Sequence, residues 1–309
     1  MSIWVLRGLR DGVVTTRWPA RPDDYADTWR GPARPLPAAA LSSDPGAALS
    51  SDPEAVLSSD PGAALSPDPE AALEALCPTG AITADRGGNV RVDQGRCILC
   101  GHCVAERPDV FTWSQGATGP GAAALRREAL IVPELPETDA AVEAARARLR
   151  ERTAALRRSV HIRHVDAGSD GSEEWEIQAL LGPVYDIHRL GVFFTASPRH
   201  ADVLLVTGAG ARGMTVPLRT TYDGMPDPKV VIATGTDAVS GGLLSESDVT
   251  TGGIAATVPV DVWLAGSPPS PFGIINALLV AVGKLAPDTA APSSPPRRAI
   301  GRRGGRGPR

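Results

Sequence analysis

The stretch Cys97-Ile-Leu-Cys-Gly-His-Cys103 sets three of the chain's four cysteines at equal three-residue steps, the spacing with which one loop grips a corner of an iron-sulfur cube. The fourth, Cys77, lies upstream and is followed by Pro78. A C-x2-C-x2-C-x3-C-P run would place a further cysteine at position 107, ahead of Pro108, but Arg107 stands there. In paired runs of this kind the proline-flanked cysteine of one run completes the cluster of the other. Cys77 in "CPTGAI" therefore completes the set begun by Cys97, Cys100 and Cys103. Counting back from Cys77, the ligands of a partner cluster would fall on Leu73, Glu70 and Pro67, none of which offers a thiolate. The expectation is one 4Fe-4S cluster on four cysteines.

Two other uses of four cysteines compete with this reading. Zinc accepts four thiolates, but its ligands usually come as two separated Cys-x-x-Cys pairs rather than three at equal steps and one remote Cys-Pro. A disulfide framework belongs to secreted chains, and the opening "MSIWVLRGLRDG" has neither a sustained apolar core nor a small-residue cleavage site. A reducing compartment, the cytoplasm, is expected.

The chain has 309 residues, 42% of them hydrophobic, enough for about two domains with real cores. No apolar run reaches the roughly 18 residues of a membrane span, so no direct span is expected. The net charge of -4 is uneven: "RRAIGRRGGRGPR" at the end carries six arginines and no acid, leaving -10 for the rest. With no aromatic residues beside it, this tail over 286–309 reads as a solvated, disordered segment rather than a nucleic-acid interface.

Residues 1–40 form an N-terminal arm in which "IWVLRGLRDGVVTTRWP" reads as a strand or hairpin arm. In residues 41–66, Leu41, Leu49, Leu57 and Leu65 recur every eight residues in copies of "LSSDPxAA". That period fits neither a helix face nor a strand, so the repeat reads as a flexible linker. Residues 67–115 form a small α+β domain: the capped helix "DPEAALEALCP" delivers Cys77, and "AITADRGGNVRVD" is a hairpin leading to Cys97. Residues 116–158 are a linker and a connecting helix, with Val142, Ala145, Leu149 and Leu156 on one face. Residues 159–285 alternate strands ("VHIRHVD", "ADVLLVTG", "KVVIATG", "VPVDVWLAG") with helices and close on "IINALLVAVG". That alternation predicts an α/β domain with a parallel sheet covered on both faces.

The front domain resembles the ferredoxin-type subunit of respiratory and hydrogenase complexes. The blocks "HVDAGSDGSEEWEIQALLGPVYDIHRLG", "SPRHADVLLVTG", "PKVVIATGTDAVSGG" and "VPVDVWLAGSPPSPFGIINALL" resemble the small, cluster-carrying 20 kDa subunit shared by complex I and formate-hydrogenlyase-like group 4 nickel-iron hydrogenases. The chain thus resembles a fusion of two neighbouring subunits, a ferredoxin-like domain followed by a flavodoxin-like α/β domain. The resemblance implies a cluster held by four cysteines in the second domain. Those positions fall here on Asp170, Glu173, Asp237 and Ser267. Replacing four soft ligands by oxygen donors removes the preference for iron-sulfur chemistry, so no second cluster is expected there. If the implied fold holds, three carboxylates share a cleft and at least one has a raised pKa. A retained proton or a hard cation such as Mg2+ or Ca2+ would neutralise them. The proton is expected over a cation, because the block visibly offers few further oxygens, and neutralisation by partner arginines or water with no functional consequence stands equal to it.

"TGAGARG" spells Gly208-x-Gly210-x-x-Gly213 after a strand, the wording of a dinucleotide fingerprint. The acid expected about 20 residues on at the next strand end is supplied only by Asp237, already matched to a family ligand position, so a simple strand-to-helix turn is expected. His161, His164, His188 and His200 read as hydrogen-bonded structural residues, and His102, between cluster cysteines, as a residue that tunes the cluster by hydrogen bonding. The resemblance implies an electron-transfer subunit on the cytoplasmic side of the membrane, bound to a large subunit and to antiporter-like membrane subunits. The alternative is a docking subunit that no longer conducts electrons.

Overall fold

The computed structural model describes residues 3–21, 23, 29–36, 69–85, 89–115, 123–133, 143–144, 147–151, 154 and 159–285. The octapeptide linker, the start of the 116–158 linker and the basic tail lie outside these residues.

The chain opens on a helix, α1 (Ile3–Asp11), which corrects the expected strand or hairpin arm. Ile3, Leu6 and Leu9 recur every third residue, each of the last two followed by an arginine, Arg7 and Arg10, a spacing compatible with a helix. The β-branched residues that follow form no strand. Instead they clasp the far domain, with the Thr16 N–H donating to the Val184 carbonyl at 2.7 Å and Trp18 buried edge-on against Phe272 at 5.8 Å.

Strand β1 (Arg30–Pro35) then runs antiparallel to β4 (Phe111–Gln115), bringing the arm onto the small domain. Helix α2 (Pro69–Ala75) is followed by the expected hairpin, β2 (Ile82–Ala84) against β3 (Val90–Asp93). A 3-10 turn, Gln94–Arg96, leads to the cysteine loop, and α3 (His102–Glu106) leaves it. Leu73, Ile82, Val90, Val92, Val110 and Phe111 form this domain's core, with Cys77 and Cys103 packed against it.

The segment expected as linker carries two short strands that divide between the domains. β5 (Ala123–Ala124) adds antiparallel to the large sheet, and β6 (Ile131–Val132) adds to β3 of the small one. Residues 147–151 are helical and bury Leu149 in the larger core.

The large domain runs β7 (Val160–Asp166), α4 (Ser172–Ala179), β8 (Val192–Phe194), β9 (Val203–Thr207), α5 (Thr215–Asp223), β10 (Val230–Thr234), α6 (Gly235–Ser240), β11 (Val262–Leu264) and α7 (Pro271–Ala281). Its sheet order is β5-β11-β10-β9-β7-β8. The strands from β7 to β11 are all parallel and are ordered 2-1-3-4-5, the flavodoxin-like winding. The central strands β9 and β10 are buried at every position, as expected of a sheet covered on both faces. Val203 and Leu205 face one core, which contains α7 and Ile177 of α4. Leu204 and Val206 face the other, with Leu218 of α5 and Val239 of α6. Helix α7 is buried at every residue, which is why it is apolar all round. The three-residue strand β8, at the sheet edge, was not foreseen.

Candidate metal centre

Cys77, Cys97, Cys100 and Cys103 line one small apolar cavity with Ala33, Leu76, Ala81, Ile82, Val92, Ile98 and Gly101. Cys77 arrives from the end of α2, and the other three come from the loop that wraps the cavity between β3 and α3. That loop needs left-handed backbone at Leu99 (φ 58°) and Gly101 (φ 79°). At 101 only glycine fits, since a Cβ there would lie 2.8 Å from Cζ2 of Trp113.

The chemistry of this cavity suits a thiolate-ligated cluster. Burial first, and then the neighbouring sulfurs of Cys97, Cys77 and Cys100, push the Cys103 thiol up to about 11. Burial also raises Cys97, opposed by backbone donors at Ala33 and Leu99. Cys97 and Cys103 thus resist becoming anions unless a positive centre binds them. A backbone donor is already aimed at sulfur: the Ala81 N–H donates to Cys77 Sγ at 3.2 Å, while Thr79 Oγ1, 3.3 Å from that sulfur, donates to the Arg96 carbonyl at 2.6 Å. Such bonds tune cluster potentials.

The structure also brings together the second set of positions. Asp170 lies in the loop after β7, Glu173 in the first turn of α4, and Asp237 in the first turn of α6 after β10. The backbone just before Ser267 is tied to α6, where the Thr236 N–H donates to the Gly266 carbonyl at 2.7 Å. Glu173 is fully buried. Burial, and then the charges of Asp237 and Asp170, push its carboxyl up to about 7. Burial and Asp170 likewise raise Asp237, whereas bonds from Ser172 hold exposed Asp170 below the usual carboxylate range. The expected raised carboxyl is thus Glu173.

The two sets meet. Thr236 Oγ1 donates to the Cys97 carbonyl at 2.9 Å in a buried bond. A Cβ on Gly95 would lie 2.7 Å from Val239, so the turn before Cys97 sits directly on α6. Arg127 locks the same turn through a two-pronged bridge to Asp93 at 2.8 and 2.7 Å. Sequence reasoning missed Thr236, Ala33, Gly95 and Gly235. Only the "GTDA" block, which holds Thr236 and Gly235, carried any signal.

Gly208 and Gly210 serve loop packing rather than a phosphate cradle. A Cβ on Gly208 would lie 2.5 Å from the backbone of Gly168 and Ser169, and one on Gly210 would lie 2.4 Å from the Gly253 carbonyl. His164 Nε2 contacts Thr207 Oγ1 at 3.0 Å and Glu174 Oε1 at 3.4 Å, and burial lowers its pKa. His161 Nδ1 lies 3.7 Å from Asp202.

Residues 171–281, which hold α4 through α7, match the family described as NADH ubiquinone oxidoreductase, 20 Kd subunit. Over 145 residues the chain is 41% identical to the probable membrane-bound hydrogenase subunit mbhJ of Pyrococcus furiosus, covering 46% of this chain and 87% of that one. The chain belongs to the 20 kDa subunit family. Formate hydrogenlyase subunit 7 of Escherichia coli is 36% identical over 52% of this chain, a match spanning 61% of that relative's length. A chain from the solved membrane-bound sulfane sulfur reductase, an archaeal respiratory membrane complex, aligns at 28% identity and TM-score 0.38 over 43% of this chain and 74% of that one. In front of the 20 kDa region, residues 90–147 match a 4Fe-4S single cluster domain. That match takes in Cys97, Cys100 and Cys103; the fold supplies Cys77. Among the described residues no helix is long and apolar enough to cross a membrane.

Proposed function

We propose that the chain is an electron-transfer subunit of a membrane-associated complex related to complex I and formate-hydrogenlyase-like hydrogenases. In this reading Cys77, Cys97, Cys100 and Cys103 hold its one 4Fe-4S cluster, which would accept and release one electron. The observation that carries the reading is the convergence of all four cysteines on one apolar cavity, with the Ala81 N–H donating to Cys77 sulfur. The names of the relatives, subunits of a membrane-bound hydrogenase and a formate hydrogenlyase, support a place in a membrane-associated complex; in this reading the chain sits beside a large subunit and antiporter-like membrane subunits, on the cytoplasmic face. The Cys97 loop, seated on α6, directs the cluster side of the small domain toward the loops where the family holds its own cluster.

A second reading has a specific observation behind it. Asp170, Glu173, Asp237 and Ser267 offer no thiolate, so the relay beyond the cysteine cavity is altered, and the large domain would dock partners without conducting. Anaerobic purification followed by iron, sulfide and EPR analysis separates the two. Roughly four irons and four sulfides, an EPR signal on reduction, and loss of most iron in Cys100→Ser support electron transfer. Stoichiometric zinc without visible absorption would end it.

A further inference from the structure

The cleft formed by Asp170, Glu173 and Asp237 holds two observations of different kinds. One carboxylate oxygen from each residue lies within 4.8 Å of the others, although the residues come from two separate βα connections. Independently, Glu173 is fully buried and its Oε1 has no hydrogen-bond partner. That oxygen is aimed at the start of α6, the helix that carries Asp237: a Cβ on Gly235 would lie 2.4 Å from it. Asp237 is packed as tightly, since a Cβ on Gly242 would lie 2.2 Å from its Oδ1. Two glycines in left-handed backbone, Gly235 (φ 89°) and Gly242 (φ 56°), thus make the space these carboxylates occupy.

None of the ion pairs among the described residues neutralises these three side chains. A buried polar atom left without a partner costs about 1–3 kcal/mol, more when charged. Protonating Glu173 removes one charge but leaves those of Asp170 and Asp237 together, and its Oε2 is already engaged by Ser172 Oγ at 3.2 Å. A cation meets both requirements at once, because it neutralises the group and takes a Glu173 carboxylate oxygen as a ligand. The donors are all oxygen and carry charge, which selects a hard divalent ion over a thiophilic one. Oxygens mutually within 4.8 Å can surround one ion with bonds of about 2.0–2.6 Å.

We propose that Asp170, Glu173 and Asp237 form a binding site for one divalent, oxygen-seeking cation, with water completing its shell. The ion joins the loop after β7 to the first turn of α6. It thereby steadies Thr236, whose hydroxyl holds the Cys97 loop. The site stands whether or not the cysteine cavity conducts electrons.

The test uses the full chain, purified anaerobically with its iron and treated with a chelator to strip weakly held metal. Titration with Mn2+, followed by the EPR signal of the free ion, should saturate at one ion per chain. Mg2+ or Ca2+ should displace it, and which of the two does so at lower concentration identifies the size class. Asp237→Asn and Glu173→Gln should each weaken Mn2+ binding about ten-fold or more, with iron and sulfide content unchanged. Asp237 is only half-buried, so its variant remains informative if the Glu173 change perturbs folding. No saturable binding up to about 1 mM Mn2+, or binding that both variants leave intact, overturns the proposal.

Discussion

The cysteine cavity and the carboxylate cleft lie on either side of one hydrogen bond, Thr236 to Cys97, and burial acts on both in the same direction with different results. It pushes Cys103 up to about 11 and Glu173 up to about 7. A thiol is already neutral at pH 7, so raising its pKa leaves the cysteine cavity uncharged until a cluster assembles, and an apolar wall suits both states. A carboxyl starts ionised at pH 7, so the same burial places the cleft in conflict with its solvent exclusion. Similar burial makes one pocket tolerant of waiting and the other dependent on a counter-charge.

Exchanging the donor chemistry tests this contrast most severely. Asp170, Glu173, Asp237 and Ser267 replaced together by cysteine should turn the cleft into a second soft site. Chemical reconstitution should then raise iron from roughly four to roughly eight per chain, with the EPR spectrum of the reduced protein broadened by a neighbouring spin. Iron that stays at the wild-type level would mean that the contrast lies in the shape of the cleft and not in its ligands.

The next effect is on stability against pH, measured on metal-stripped chain by denaturant unfolding. Glu173 titrates near 4.5 when unfolded and at about 7 when folded, so below about pH 4.5 its carboxyl is neutral in both states and folding is unopposed. As pH rises from there toward 7 the unfolded chain sheds the proton first, and stability falls by on the order of 3 kcal/mol. Glu173→Gln should flatten that slope and be the more stable chain at pH 8. Saturating Mn2+ should flatten it in wild type. A slope equally steep in the glutamine variant would assign it elsewhere.

The smallest effect probes the bond between the pockets. Thr236→Val removes the hydroxyl and leaves a buried carbonyl at Cys97 without that donor, a loss of about 1–3 kcal/mol. Unfolding midpoints should drop accordingly while iron content holds. An unchanged midpoint would show that the contact between Gly95 and Val239 alone keeps the pockets together.

What could be read from sequence divides along physical lines. The cysteine set was legible because ligand spacing is a local constraint, and the strands β7, β9, β10 and β11 were legible because doubly covered strands must be apolar at nearly every position. The three carboxylates were placed together through the family resemblance, since each follows a strand of one parallel sheet. Helix α1 was misread because nine residues allow both periods and a β-branched run follows. β5 is two alanines, and β8 is three residues at an edge; neither is long enough to show a pattern. The Thr236–Cys97 bond spans 139 positions, and nothing local announces such a pair.

The six residues 125–130 separate a strand that belongs to one sheet from a strand that belongs to the other. Pulling the small domain away would therefore strip β5 from β11 and leave an open sheet edge, the feature most prone to pairing with another molecule.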